Sequence, residues 1–278
     1  MEQARRAVGR TSVHDAGSAV QPDSIGSGWL TIPPAPAALD GADALSVGPA
    51  ARSVVLNEAH LESRRIISYD VADQRSKSFD MLRTQILQAM DHKKWQLLAV
   101  TSPVAGCGKT LTAVNLALAI ARQPGRSVLL VDMDLQKPQV ARRLGIRCNT
   151  GLLGVLSGQS TVSEAMVTAH IGHHQLMVLP AEGATTDSSD WMASQAMQSV
   201  IQEIRRDFRS TTVILDMPPI LLSDDVIAVL PQVDCALLVT AVGKTTVADV
   251  EECNKYLRST SVVRVVVNKV PASNNRYY

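Results

Sequence analysis

Six short apolar runs recur along the chain at 97–100, 127–131, 176–179, 213–215, 235–239 and 262–267. They are continuous rather than alternating and rich in Val and Leu. That is the pattern of strands buried on both faces. Segments of helical periodicity lie beside and between them, at 78–90, 110–122, 161–170, 194–208, 224–230 and 247–257. Alternation of strand and helix predicts an α/β fold, a mainly parallel sheet with helices on both faces. No internal repeat interrupts it.

Residues 1–60 have another texture. The first 50 residues hold 5 of the 13 prolines and 6 of the 16 glycines, including Pro33-Pro34-Ala35-Pro36, with no sustained period. This predicts a flexible N-terminal arm followed by one domain over 61–278. Lys plus Arg is 27 and Asp plus Glu is 26, a net charge of +1. With 9 aromatic residues in all, the chain offers neither a broad cationic surface nor stacking platforms for nucleic acid. No apolar run reaches membrane-spanning length, and Arg5, Arg6 and Arg10 are not followed by the apolar core of a secretory signal. Cys107, Cys148, Cys235 and Cys253 show no paired spacing, which argues against a zinc site and fits reduced thiols in a cytoplasm.

The first strand runs into Ser102-Pro103-Val104-Ala105-Gly106-Cys107-Gly108-Lys109-Thr110-Leu111 and then into a helix. Strand, small-residue turn and helix in that order make a phosphate cradle. Backbone N–H groups from Ala105 to Leu111 converge on an anion at a helix N-terminus. Lys109 would bridge the β- and γ-phosphates, and the Thr110 hydroxyl would ligate Mg²⁺. Pro103 stands where such loops usually begin with Gly. A second Gly-Lys-Thr at Gly243-Lys244-Thr245 lacks a further glycine upstream. It reads as the loop after a strand, with Lys244 solvated or at the rim of the site.

Two further strands end in acid, at Asp132-Met133-Asp134 and at Asp216-Met217-Pro218-Pro219. Ligands of open parallel sheets sit at the carboxyl ends of the strands, which puts Asp132, Asp134 and Asp216 on the edge that carries the cradle. A strand-end Asp taken alone is most often a helix cap. Two of them beside a phosphate loop point to a nucleotide and its Mg²⁺. His170, His173 and His174 lack a matching ligand cluster and read as a surface loop.

Taken together, the segments 105–110, 132–138 and 216–219 resemble the three nucleotide motifs of the bacterial protein-tyrosine kinases of capsule and exopolysaccharide assembly. That family is related to MinD/ParA-type P-loop ATPases. The resemblance spans about residues 64–278, with supporting segments at 151–156 and 178–181. It implies an ATP- and Mg²⁺-dependent tyrosine autokinase. Lys109 and Thr110 would hold the phosphates and metal, Asp132 would orient or deprotonate a tyrosine hydroxyl, and Asp132, Asp134 and Asp216 would serve the metal and the chemistry. Tyr277 and Tyr278 are similar to the family's C-terminal tyrosine cluster, the site of trans-autophosphorylation between copies. The resemblance also implies a transmembrane polysaccharide co-polymerase as activating partner, and recruitment of a cytoplasmic protein to the inner face of the membrane.

The chain departs from the family pattern in two places. Gln136 replaces an Arg, so a positive charge is lost unless Lys137 or Arg142 supplies it. Lys77, Asp80 and Arg83 stand where the family carries its oligomerisation helix. These changes keep a catalytically weak nucleotide-binding adaptor open as an alternative. A MinD/ParA-type ATPase is a third, although Val104 occupies the place of its characteristic second lysine.

Overall fold

A computed structural model describes residues 52–271. The described part begins with β1 (Arg52–Val55) and α1 (Glu58–Ser63), both inside or across the span expected to be an arm. β1 is only four residues long and is held by parallel main-chain pairing to a neighbouring strand, a signal too short for periodicity to register. Residues 1–51, and the Tyr277-Tyr278 tail, lie outside the described residues.

Downstream come α2 (Lys77–Lys93), β2 (Leu97–Thr101), α3 (Lys109–Ala121), β3 (Ser127–Asp132), α4 (Val140–Leu144), α5 (Leu152–Leu156) and α6 (Val162–Ala165). They are followed by β4 (Val167–Ile171), β5 (His174–Leu179), α7 (Ser188–Ala193), α8 (Gln195–Asp207), β6 (Thr211–Asp216), α9 (Asp225–Val229), β7 (Cys235–Ala241), α10 (Val247–Tyr256) and β8 (Ser261–Asn268). All six expected strands are present.

The helix expected over 161–170 is a correction. α6 stops at Ala165, and residues 167–171 alternate buried and half-buried as β4. β4 pairs antiparallel with β5, so His170, His173 and His174 belong to a hairpin rather than to a free loop. The alternation spans only five residues and follows a capped turn of helix, which hides it within a longer helical window.

The sheet order is β1-β4-β5-β3-β6-β2-β7-β8. Every pairing is parallel except β4 with β5. β2 and β7 are buried at every position, as their continuous apolar sequences require. One face packs against α1–α4, through Leu61, Ile86, Met90, Leu116 and Ile120. The other packs against α5–α10. There α8 contributes Met197, Val200, Ile201 and Ile204, one stripe at helical spacing, all buried. Each such side chain contributes about 1.5–3 kcal/mol by leaving water.

Asp80 of α2 is bound within the chain. It accepts a hydrogen bond from Arg83 Nη1 at 3.2 Å and pairs with Arg122 at the end of α3, which ties α2 to α3.

Candidate functional site

The sheet order puts β6 between β3 and β2, so the tips of these three strands meet. Asp132 stands directly beside Asp216 in the β3–β6 register, and Val100 of β2 flanks Asp216 on the other side. The loop from Ser102 to Gly108 leaves β2 at this point. Gly106 and Gly108 take φ values of +79° and +97°, which L side chains rarely adopt. A Cβ at Gly108 would collide with the amide of Asn268, whose Nδ2 donates to Cys107 O at 3.0 Å. The loop is thus a narrow backbone cradle at the start of α3, with glycine required where backbone and side chain approach most closely.

Lys109 and the acidic strand tips come together. Lys109 Nζ lies 2.8 Å from Asp134 Oδ2, 3.6 Å from Asp216 Oδ1 and 3.3 Å from Thr110 Oγ1. Burial works against the Lys109 charge, but the carboxylates of Asp216 and Asp134 outweigh it and raise its pKa. Asp216 is fully buried, and neither of its carboxylate oxygens has a hydrogen-bond partner. Its pKa is raised by burial, with Lys109 opposing the shift.

Asp132 sits differently. Its Oδ2 accepts hydrogen bonds from the N–H groups of Gln139 at 3.0 Å and Val140 at 2.9 Å, so it holds the entry to α4. Burial and the facing Asp216 carboxylate push its carboxyl up to about 8. It is not among the residues that line the cleft, whereas Asp134 is. Asp132 thus stands at the expected strand tip beside Asp216, with one carboxylate oxygen committed to the start of α4.

A cleft of about 500 Å³ opens over the cradle. Ala105, Gly106, Gly108, Lys109, Thr110 and Leu111 form one wall, and Pro218, Pro219, Asn268 and Lys269 contribute elsewhere. Cys107 is buried and turns instead toward the loop after β7, its Sγ 3.4 Å from Thr245 Oγ1. Lys244 of that loop reaches over Gly106, where an added Cβ would lie 3.6 Å from its Nζ. The second Gly-Lys-Thr is thus a brace against the phosphate loop.

Sequence reasoning missed three cationic residues of the cleft, Arg64, Arg65 and Arg143. Arg64 and Arg65 precede the first recognised element, and no motif marks them. Asn115 of α3 holds their turn, accepting from Ile67 N at 2.9 Å and Ser68 N at 3.1 Å and donating to Arg65 O at 3.3 Å. Of the two residues offered in place of the missing arginine, Lys137 lines the cleft and Arg142 does not.

The residues fit a nucleotide with a divalent ion. Gly106 and Gly108 leave room for an anion against bare backbone, and the Asp216 carboxylate, with no hydrogen bond of its own, stands 3.6 Å from the Lys109 ammonium. Among the described residues no three His, Cys, Asp or Glu side chains converge into an all-protein metal cage. A hard ion that takes few protein ligands and completes its shell with phosphate oxygens and water suits such a place.

Sheet order, cradle and acidic strand tips define a P-loop nucleotide-binding protein. A family model described as an AAA domain matches residues 95–258. The chain is 32% identical over 173 residues to the tyrosine-protein kinase YwqD of Bacillus subtilis, covering 61% of this chain and 70% of that one. It is 29% identical over 187 residues to the tyrosine-protein kinase CpsD of Streptococcus pneumoniae serotype 4, covering 66% and 80%. The kinase domain of the Escherichia coli tyrosine kinase ETK superposes with a TM-score of 0.66 at 21% identity, over 83% of this chain and 95% of that one, and shares its fold. The chain belongs to the bacterial protein-tyrosine kinase family. Among the described residues no helix is long and apolar enough to cross a membrane.

Proposed function

We propose that this chain is an ATP-dependent protein-tyrosine kinase of exopolysaccharide or capsule assembly, which phosphorylates Tyr277 and Tyr278 of a neighbouring copy. The observation that carries the reading is the convergence of Lys109, Asp134 and Asp216 at the cradle, with Lys109 Nζ 2.8 Å from one carboxylate and 3.6 Å from the other. Such a site performs phosphoryl transfer by positioning and by neutralising charge, with little covalent chemistry of its own.

In this reading the N–H groups of 105–111 and the Lys109 ammonium hold the β- and γ-phosphates of ATP in line with the acceptor hydroxyl. Bound Mg²⁺ would neutralise the phosphate oxygens, held by the Thr110 hydroxyl and the Asp216 carboxylate. Asp134, the acid that lines the cleft, is placed to accept the tyrosine proton once phosphate oxygens engage Lys109. Asp132 serves by holding α4. A membrane co-polymerase would act as activating partner and would bring the kinase to the membrane face.

The test is incubation of the full chain with labelled ATP and Mg²⁺, with and without the cytoplasmic tail of a co-polymerase, followed by mass spectrometry. Phosphate on Tyr277 or Tyr278 that disappears in Lys109→Ala supports the reading. Nucleotide binding without phosphotyrosine under both conditions sinks it and leaves the adaptor alternative.

A further inference from the structure

The cleft holds more positive charge than the phosphate loop explains. Lys109 has Asp134 as its partner, but Arg143 lines the same cleft and makes no ion pair among the described residues. Its Nε is buried with no hydrogen-bond partner. Burial lowers the pKa of its guanidinium, the Asp216 carboxylate opposes that shift, and Arg64 and Arg142 add to it. A half-buried cation with no ion-pair partner, repelled by Arg64 and Arg142, costs stability in the free protein. An anion entering the cleft would offset that cost.

The helix that carries Arg143 is fixed at both ends. Asp132 Oδ2 receives the N–H groups of Gln139 and Val140 at its start. At its end Gly145 turns left-handed with φ +74°, and the carbonyl of Arg142 lies 3.2 Å from His60 Nε2 of α1. The neighbouring cleft residue that could have carried a charge is neutral. The Gln136 amide is tied instead to Ser188 Oγ at 3.0 Å and Ser223 Oγ at 3.3 Å.

We propose that Arg143 is the guanidinium that grips the terminal phosphate of the bound nucleotide, held in place by Asp132 through α4. The inference rests on the kinase reading above and extends it. Arg143 lines the cleft together with Lys109, Thr110 and Asp134, the space into which a terminal phosphate held by Lys109 extends. A planar guanidinium matches two phosphate oxygens at once and stabilises charge that spreads over them during transfer. Arg143 is then a catalytic residue, and Asp132 is a positioning residue that acts through it.

The experiment compares wild type, Arg143→Gln, Arg142→Gln and the double variant Arg143→Gln/Gln136→Arg, all as full chains with Mg²⁺. Titration calorimetry gives ATP and ADP affinities, and phosphotyrosine formation gives the rate. Arg143→Gln is expected to lose about 10-fold in affinity for ATP while ADP binding stays nearly unchanged, and about 100-fold in rate. Arg142→Gln, with an exposed side chain, should stay within about two-fold. Gln136→Arg should restore at least about 10-fold of the lost rate by placing a guanidinium in the same cleft. Equal losses for ATP and ADP, or an unchanged ATP-to-ADP ratio, would overturn the proposal and leave Arg143 a structural residue. If wild type forms no phosphotyrosine, the kinase reading fails, yet the ATP-to-ADP ratio still decides the role of Arg143.

Discussion

The ammonium of Lys109 and the carboxylate of Asp134 meet at 2.8 Å on the floor of the nucleotide cleft, each only about a tenth exposed. The pair means that the cation meant for phosphate also neutralises buried acid. Lys109→Met is therefore expected to do two things. It should abolish phosphotyrosine formation and weaken ATP binding by at least 100-fold. It should also lower the stability of the nucleotide-free protein by about 3 kcal/mol, because Asp134 and Asp216 lose their counter-charge. Denaturant titration of the free protein reads the second effect; an unchanged midpoint would show that the pair contributes nothing to the fold.

Asp216 should behave in the opposite sense. Its carboxylate is buried without a hydrogen bond, a state that disfavours the charged form. Asp216→Asn removes the charge and keeps the shape. Thermal melting of the nucleotide-free variant is expected to rise, by the equivalent of about 1–2 kcal/mol, while Mg²⁺-dependent ATP binding collapses. A variant that melts lower than wild type would mean that Asp216 is already satisfied in the free protein.

The central sheet was legible because its strands are buried on both faces and so read as unbroken apolar runs. The cradle was legible because Gly106, Gly108, Lys109 and Thr110 sit between such a strand and a helix. β1 and β4 were not, since one has four residues and the other five, and their partners lie about 115 residues away or across a hairpin. Asp132 illustrates a different limit. Sequence placed it at the correct strand tip, yet which way its carboxylate turns depends on the N–H groups of Gln139 and Val140, seven and eight residues on. Arg143 was hidden for the same reason: adjacent Arg142 and Arg143 are equivalent in sequence, and only the seating of α4 lets one of them line the cleft.

Gly108 offers a test of the cradle itself. Its φ of +97° is strained for any L residue, and an added methyl group would strike the Asn268 amide. Gly108→Ala should cost about 1–3 kcal/mol in stability and lose nucleotide binding. Asn268→Ala alone loses a hydrogen bond to Cys107 O, worth about 1 kcal/mol. Combining the two should recover part of the Gly108→Ala loss, since the clash is removed while the backbone strain stays. Additive losses in the double-mutant cycle would mean the collision is relieved some other way.

Away from the cleft, Asp234 anchors the start of β2. Its Oδ2 accepts from Gln96 N and Leu97 N, both at 2.8 Å, and Arg205 Nη2 of α8 donates to Oδ1 at 2.8 Å. Burial opposes the charge, but Arg205 and the two N–H groups hold the carboxyl below its ordinary value. A carboxyl depressed in the folded state binds its proton more readily when unfolded. The stability it contributes is therefore complete above the unfolded value of about 3.9 and is lost as pH falls through the lower folded value. Asp234→Ala should cost about 2–4 kcal/mol at pH 7, from the broken pair and two N–H groups left without acceptors. Urea titrations at pH 7, 5, 4 and 3 should show that gap constant down to about pH 4 and narrowing below it. A gap that persists undiminished at pH 3 would mean that Asp234 acts through packing rather than through its charge.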